Sequence, residues 1–274
     1  MQPFTIHEFK IFAPITLNGQ STFAYLDTGA AGHAIAPAAA IGMDEVGKET
    51  VQGALGREER RVVRIDNLNF LGELFCNVRA SIEDALAALE GVPFSVSIRL
   101  GAPILLAKPL VVDFKRLKIG FVSPPFRSDL IHIPTEFVKG LPIFEGYLGE
   151  KPVRAIFDLG AGFSVLNSAR RDELGLELEF VYSEEVTDPS GAEAVIEVWR
   201  YPRFGVKDIL LGGCELLAID LTAVEEKLGT QVDFILGVNA MLRWGRVWVI
   251  DSHSSSIWLA NAGVEVADSH RSAC

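Results

Sequence analysis

Two aspartates of this 274-residue chain stand in nearly the same local sequence. Asp27 lies in the segment AYLDTGAAGHAI, and Asp158 lies 131 positions later in the segment AIFDLGAGFSVL. In both segments an apolar run ends at the Asp, which is followed by one residue, a Gly-Ala pair and a second apolar run. The pattern indicates an Asp-bearing turn that the chain builds twice.

Two carboxyl groups that meet have a specific chemistry. An ionised carboxylate at the end of a buried strand is costly unless it is paired or hydrogen-bonded, and two adjacent carboxyls tend to share one proton. The ionised group then serves as a base toward water, while the protonated group polarises a carbonyl. If Asp27 and Asp158 meet, the pair is suited to hydrolysis of an amide bond by an activated water.

A simpler interpretation stays open for each turn. Asp is common directly after a strand, because its side chain forms hydrogen bonds with the backbone of the turn. For a single Asp-Thr-Gly this structural role is the favoured one. Two such turns at matching places in a repeated chain favour a shared functional site instead.

The rest of the chain repeats in the same order as the two turns. Each half carries a Leu-Gly pair (Leu100-Gly101 and Leu236-Gly237), then a short helical stretch and an apolar strand that ends at Asp113 or Asp251. Two like halves are expected to face each other across a pseudo-twofold axis, as the halves of an isologous dimer do. We therefore divide the chain into an N-terminal half (1–123), a linker (124–136), a C-terminal half (137–261) and a frayed tail (262–274).

Composition limits the class of protein and its partners. Apolar residues make up 49% and charged residues 22%, the balance of a globular protein. The net charge of −11 disfavours nucleic acid and anionic membranes as partners. The three cysteines and five histidines lack the spacing of a metal knuckle, so we predict no metal and no cofactor. With no secretory signal at the start, we expect a cytoplasmic location. We also expect a monomer.

Most of the chain has the pattern of short strands. Runs such as RRVVRI, PLVVDF and RVWVI are rich in β-branched residues and end near Gly, Pro or Asp. Helical stretches are few, and we expect them around 82–90, 168–174, 223–228 and 238–243. His33 follows the first Asp turn, and a surface or merely packed position is favoured for it over a place in a cleft. The sequence predicts an all-β protein with few short helices.

The DTGA motif at Asp27–Ala30, taken with the duplication and both Leu-Gly pairs, resembles the aspartic peptidases of the retropepsin and pepsin type. The resemblance covers nearly the whole chain, as two retropepsin-like halves fused in one polypeptide. It implies a bilobal acid-protease fold with two closed β-barrel halves and an active-site cleft between them. It also implies catalytic roles for Asp27 and Asp158, supported by the loop residues Thr28, Gly29, Ala30, Leu159, Gly160 and Ala161.

Two positions depart from the pattern of that family. The residue after the catalytic Asp is usually Thr or Ser, and its hydroxyl binds the backbone of the opposite loop. Thr28 has this hydroxyl, but Leu159 has none, so we expect the two loops to be locked on one side at best. Such a site would be slower, would need a partner, or would have lost cleavage. Arg99 precedes Leu100 at a place where the resemblance favours an apolar residue.

Each half also has a candidate hairpin after its Asp turn. By the resemblance these hairpins are flaps that fold over a bound, extended peptide and exclude water. The substrate-binding residues would be Gly53, Ala54, Leu55 and Gly56 in the first flap and Ser190 and Gly191 in the second. Two ordinary surface hairpins are the alternative.

These observations predict an aspartic endopeptidase that acts on a peptide or protein substrate through a water held between Asp27 and Asp158. The alternative is a non-catalytic peptide-binding or regulatory module in which the pair has degenerated, as Leu159 suggests.

Overall fold

The computed structural model describes residues 1–52, 57–87, 89, 92–124, 126, 130–187, 193–201 and 203–260. Within these residues the strands are β1 (Gln2–Pro3), β2 (Thr5–His7), β3 (Lys10–Leu17), β4 (Gln20–Leu26), β5 (His33–Ile35), β6 (Asp44–Gln52), β7 (Arg57–Phe70), β8 (Glu73–Ile82), β9 (Val96–Leu100), β10 (Leu110–Asp113), β11 (Lys118–Phe121), β12 (Leu130–Val138), β13 (Leu141–Leu148), β14 (Lys151–Phe157), β15 (Ser164–Asn167), β16 (Glu179–Thr187), β17 (Glu193–Arg200), β18 (Arg203–Val206), β19 (Ile209–Gly212), β20 (Glu215–Ile219), β21 (Phe234–Leu236), β22 (Val247–Asp251) and β23 (Ser256–Ala260).

The helices of the described residues are few and short, as the sequence predicts. They are α1 (Ala102–Leu105), α2 (Arg171–Leu174), α3 (Thr222–Leu228), α4 (Val238–Trp244) and two 3₁₀ helices (Asp84–Leu86 and Ser168–Arg170). The mainly β class is therefore confirmed. No helix in this part of the chain is long and apolar enough to cross a membrane.

The N-terminal part forms an eight-stranded sheet. Its strand order is β2-β3-β4-β9-β5-β8-β7-β6, and β3 pairs with β7 as well. Most neighbours are antiparallel, but β4 pairs with β9 and β5 with β8 in parallel. The parallel pairing of β4 with β9 matters for the site, because it brings the strand end before Asp27 beside the strand end before Gly101.

The second sheet has fifteen strands and contains strands from both halves of the sequence. Its main path is β1-β11-β10-β22-β23-β12-β13-β14-β21-β15-β20-β17-β16, with β18 paired to β13 and β19. The antiparallel pair β10–β22 joins the two halves, and Val111 faces Val249 there. All residues of β10 and β22 are buried, which is typical of strands covered on both faces.

The same pairings recur in the two halves. β14 pairs with β21 in parallel, as β4 does with β9, and β15 pairs with β20 in parallel, as β5 does with β8. β13 pairs with β18 at the place where β3 pairs with β7. One contiguous set of buried apolar side chains runs through both halves. Each Asp-bearing strand end therefore has the same neighbours.

Strand β12 occupies much of the segment expected to be a linker. It pairs with β23, where Ile133 faces Ile257, and with β13, where Glu136 faces Ile143. Residues 130–136 are thus part of the large sheet, and the buried side chains of Ile133 and Thr135 alternate there with the exposed ones of His132, Pro134 and Glu136. The predicted frayed tail lies outside the described residues.

The aspartates that end β10 and β22 fix turns. Asp113 accepts hydrogen bonds from the backbone N–H groups of Lys115 and Arg116 at 3.0 and 2.9 Å. Asp251 accepts one from the N–H of His253 at 3.0 Å. Both carboxyls serve their local turns, in the way the simpler interpretation describes for an Asp after a strand.

Candidate active site

Each Asp turn is held by the Leu-Gly pair of its own half. The N–H of Asp27 donates to the carbonyl of Leu100 at 2.9 Å, and the N–H of Asp158 donates to that of Leu236 at 3.1 Å. The next contacts also match: the N–H of Ala102 donates to Ala30, and that of Val238 to Ala161, both at 2.8 Å. The repeated sequence therefore builds two loops of the same construction.

The glycine of each Leu-Gly pair leaves no space for a side chain. A Cβ at Gly101 would lie 2.1 Å from the carbonyl oxygen of Gly32. A Cβ at Gly237 would lie 2.5 Å from the carbonyl oxygen of Phe163. Contacts this short with a backbone atom require glycine, because the loop has to pass directly over the strand end.

The two Asp loops lie against each other, and each carboxyl contacts the glycine of the opposite loop. A Cβ at Gly29 would lie 2.3 Å from Oδ2 of Asp158, and a Cβ at Gly160 would lie 2.3 Å from Oδ1 of Asp27. The N–H groups of Gly29 and Gly160 both donate to Oδ1 of Asp158, at 2.8 and 2.7 Å. The carboxyls of Asp27 and Asp158, which are distant in sequence, thus lie side by side where the two loops meet.

Thr28 joins the two loops. Its hydroxyl donates to the carbonyl of Phe157 at 3.1 Å and accepts from the N–H of Leu159 at 2.9 Å. Thr28 and Leu159 are both fully buried, and the side chain of Leu159 belongs to the main apolar core. Leu159 supplies core packing in place of the hydroxyl that Thr28 supplies in the first half.

The pKa of Asp158 is raised from its ordinary 3.8 to about 7. Burial is the main cause, and the nearby carboxylate of Asp27 adds to the rise. The backbone N–H groups of Gly160, Gly29 and Ala161 act in the opposite direction. Burial beside Asp27 therefore favours the protonated form of the Asp158 carboxyl.

Arg99 forms an ion pair with Asp27. Its Nη1 donates to Oδ2 of Asp27 at 2.8 Å, and only 17% and 16% of the two side chains are exposed. Its Nε and Nη2 donate to Oε2 of Glu83 at 3.1 and 3.0 Å. Burial lowers the pKa of Arg99, but the carboxylates of Asp27 and Glu83 outweigh that effect and raise it. The sequence marks Arg99 as unusual, since Ile235 stands at the matching place before Leu236.

Tyr25 is a second site residue that the sequence analysis did not identify. Its hydroxyl donates to the carbonyl of Gly160 in the opposite loop. Burial, together with the charges of Asp27 and Asp158, raises its pKa well above 10. The signal in the sequence is weak, because Tyr25 corresponds to Ile156 in the second half and both suit a strand.

His33 is packed, which is one of the two positions expected for it, and it is not at the surface. Its Nδ1 accepts a hydrogen bond from the N–H of Gly101 at 3.0 Å. Ser164 stands at the matching place in the second half, and its Oγ accepts from the N–H of Gly237 at 3.1 Å. Burial, with the charge of Arg99, lowers the pKa of His33 to about 4. The ring is therefore a neutral acceptor that holds the loop.

The predicted flap residues Gly53, Ala54, Leu55, Gly56, Ser190 and Gly191 lie outside the described residues. The arms beside them are described and paired. β6 and β7 pair up to Gln52 and Arg57, and β16 and β17 pair up to Thr187 and Glu193. Both candidate hairpins therefore have the antiparallel arms that a flap requires.

Comparison with known proteins gives one family. Residues 144–240 match a family model described as aspartyl protease. The matched segment contains the Asp158 loop and the Leu236-Gly237 pair, so it supports a retropepsin-like aspartyl protease domain in this part of the chain. In the comparison with curated proteins, nothing matches the chain.

Proposed function

We propose that the chain is an aspartic endopeptidase in which Asp27 and Asp158 form the catalytic pair. The observation that carries the proposal is the mutual contact of the two loops, in which each carboxyl lies against the glycine of the other. The family match over 144–240 supports the second loop. The first loop has the DTGA motif and the same backbone contacts.

The proposed architecture is two related lobes, residues 1–123 and 137–261, with the site between them. The recurring strand pairings support a duplication. The contact of β3 with β7, and of β13 with β18, supports a sheet that curves back on itself in each half, as in a small barrel. A peptide would lie extended between the lobes under the two hairpins, exchanging main-chain hydrogen bonds with strand edges.

The proposed reaction uses the two carboxyls in turn. Asp27 takes a proton from a water whose oxygen bonds to the peptide carbonyl carbon, and Asp158 gives its proton to the carbonyl oxygen. The tetrahedral diol then collapses. Asp158 takes back a hydroxyl proton, Asp27 passes its proton to the amide nitrogen, and the carbon–nitrogen bond breaks. Both carboxyls return to their starting state, so the cycle balances.

The test is cleavage of a peptide library between about pH 4 and pH 8 by the full chain and by single variants. Asp27→Asn and Asp158→Asn are expected to reduce cleavage to background, because each removes one proton-transfer group. Asp66→Asn is the matched control, since Asp66 is exposed and lies beside Arg64 on β7, and it is expected to retain the wild-type rate. Unchanged cleavage in Asp27→Asn would refute the proposal.

A non-catalytic peptide-binding module is the second candidate. The observation that favours it is the ion pair between Arg99 and Asp27, because it occupies one oxygen of a proposed catalytic carboxyl. This candidate predicts tight binding of peptides without turnover, and binding that Asp27→Asn leaves in place. Calorimetric titration with peptides from the same library separates it from the endopeptidase.

A further inference from the structure

We propose that Arg99 is a positioning residue that holds Asp27 as the carboxylate of the pair, so that the exchangeable proton belongs to Asp158. The inference rests on the proposed function and deepens it, because it assigns the base to Asp27 and the acid to Asp158. Two carboxyls in a symmetric setting share one proton. Here the two settings differ.

The guanidinium of Arg99 forms hydrogen bonds with a carboxylate on each side. Nη1 donates to Oδ2 of Asp27 at 2.8 Å, while Nε and Nη2 both donate to Oε2 of Glu83. The exposed fraction of each of the three side chains is below one fifth. A planar fork held on two sides has a fixed orientation. Asp27 therefore meets a cation at a set distance.

The charges around Arg99 balance when Asp158 is neutral. Nη1 of Arg60 lies 3.3 Å from Oε2 of Glu83, so the two buried cations alternate with the buried carboxylates of Glu83 and Asp27. Nε of Arg60 also donates at 2.8 Å to Glu58, whose side chain is 60% exposed and whose charge is screened by solvent. Buried charges are tolerated where each has a partner, and an unpaired one is costly. A second ionised carboxyl at Asp158 would leave an unpaired negative charge, and a proton on Asp158 removes it. The raised pKa of Asp158 agrees with this arrangement.

The other titratable groups that face this row do not disturb the balance. Burial raises the pKa of Tyr25 on β4 well above 10. Burial and the charge of Arg99 lower the pKa of His33 on β5 to about 4. Both groups are therefore neutral between about pH 5 and pH 8, so the charges nearest Asp27 are those of Arg99, Glu83 and Asp158.

The asymmetry belongs to the first half of the chain. Ile235 stands where Arg99 stands in the first half, one position before the leucine of the Leu-Gly pair. Asp220 follows β20 where Glu83 follows β8, but its carboxyl is exposed and accepts from the N–H of Thr222. The second half thus places an apolar side chain at the position from which the first half supplies a cation to its aspartate.

The experiment is the titration of the two carboxyls, observed by NMR in the full chain with ¹³C-labelled aspartate and assigned with Asp27→Asn and Asp158→Asn. Arg99→Ile introduces the residue of the second half. It is expected to raise the titration midpoint of Asp27 by about one pH unit or more, since a nearby cation shifts a carboxyl by about 1–3 units. Arg99→Lys keeps the positive charge, so its Asp27 midpoint is expected to stay close to that of the wild type. The acid limb of the cleavage–pH profile should move in the same direction.

The two proposals fail in different ways. An unchanged midpoint of Asp27 in Arg99→Ile overturns the inference, even where the wild type cleaves peptides. If Arg99→Ile shifts the midpoint of Asp27 but the wild type cleaves no peptide, the endopeptidase proposal is overturned and the assignment of the proton to Asp158 stands. If Arg99→Ile does not fold, the double variant Arg99→Ile with Glu83→Leu removes a cation and an anion together, and a smaller shift in the same direction is expected, because the lost anion partly offsets the lost cation.

Discussion

Thr28 and Leu159 occupy the same place in their two loops, yet one bonds to the backbone of the other. The Thr28 hydroxyl accepts a hydrogen bond from the N–H of Leu159 at 2.9 Å and donates one to the carbonyl of Phe157. A single side chain thus binds the backbone on both sides of Asp158. The side chains of Thr28, Phe157 and Leu159 are all buried. Thr28 therefore supplies two of the hydrogen bonds between the loops, beside those from the N–H of Gly29 and the hydroxyl of Tyr25.

Thr28→Val is expected to lower the free energy of unfolding by about 1–3 kcal/mol. The change keeps the shape of the side chain but leaves two buried backbone groups, on Phe157 and Leu159, without their partner. Urea unfolding measures the loss, and the cleavage rate is expected to fall with it. Thr28→Ser keeps the hydroxyl and serves as the control. Equal stability of Thr28→Val and wild type would show that the contact contributes nothing.

Gly101 of the Leu-Gly pair and Gly32 of the first Asp loop lie against each other, but an added Cβ would meet different surroundings at the two positions. Gly101→Ala is expected to lower the free energy of unfolding by at least about 1–3 kcal/mol, because the new Cβ would meet the backbone oxygen of Gly32 at 2.1 Å. Gly32→Ala is the matched control in the same contact. An added Cβ at Gly32 would have nothing within 4 Å, so Gly32→Ala is expected to lose no stability. Its free energy of unfolding can rise by about 0.4–1 kcal/mol, because alanine restricts the unfolded chain more than glycine does.

Thermal and urea unfolding of the two alanine variants provide the comparison. If Gly101→Ala were as stable as Gly32→Ala, the Leu-Gly pair would not pass as closely over the loop as described, and its role in holding Asp27 would be lost.

Much of the site could be predicted from local patterns in the sequence. The two Asp turns, the Leu-Gly pairs and the missing hydroxyl at Leu159 all follow from residue types at matching places in the two halves. Each is a short-range signal, because an apolar strand that ends at Asp and small residues indicates the same turn wherever it occurs.

The ion pair of Arg99 could not be predicted, although the residue itself stood out. Asp27 and Arg99 are 72 positions apart, and Glu83 reaches Arg99 from the end of a third strand. Only the order of strands in the sheet brings the three together. The same holds for β12, which contains Pro134 and reads as a linker until its partners β13 and β23 are known.

The pKa of Asp158 predicts a pH-dependent stability. Because the folded state raises this pKa from 3.8 to about 7, the unfolded chain releases the proton first. The contribution of Asp158 to stability is therefore fully present below about pH 4, falls as the pH rises from 4 to 7, and is absent above that. Asp158→Asn cannot ionise and is expected to remove this fall.

The measurement for Asp158 is the difference in the free energy of unfolding between wild type and Asp158→Asn at each pH. The wild type is expected to lose stability relative to the variant as the pH rises from 4 to 7. Asp66→Asn, on the surface, controls for the general loss of a carboxyl. A flat difference between pH 4 and pH 7 would mean that Asp158 titrates like an exposed group.

His33 predicts the opposite trend over almost the same range. Burial lowers its folded-state pKa from 6.5 to about 4, so the unfolded chain takes up a proton first as the pH falls. The contribution of His33 is present above about pH 6.5 and is lost as the pH falls toward 4. His33→Ser introduces the residue that holds the matching place in the second half, where the hydroxyl of Ser164 accepts from Gly237.

In His33→Ser the acceptor for the N–H of Gly101 is kept while the titration is removed. The difference in unfolding free energy between wild type and His33→Ser is therefore expected to rise in favour of the wild type from pH 4 to pH 6.5, against the direction expected for Asp158. The two effects partly cancel in the wild type, and only the single variants separate them. If the His33→Ser difference ran in the same direction as that of Asp158→Asn, the imidazole would be charged in the folded protein and could not accept the hydrogen bond of Gly101.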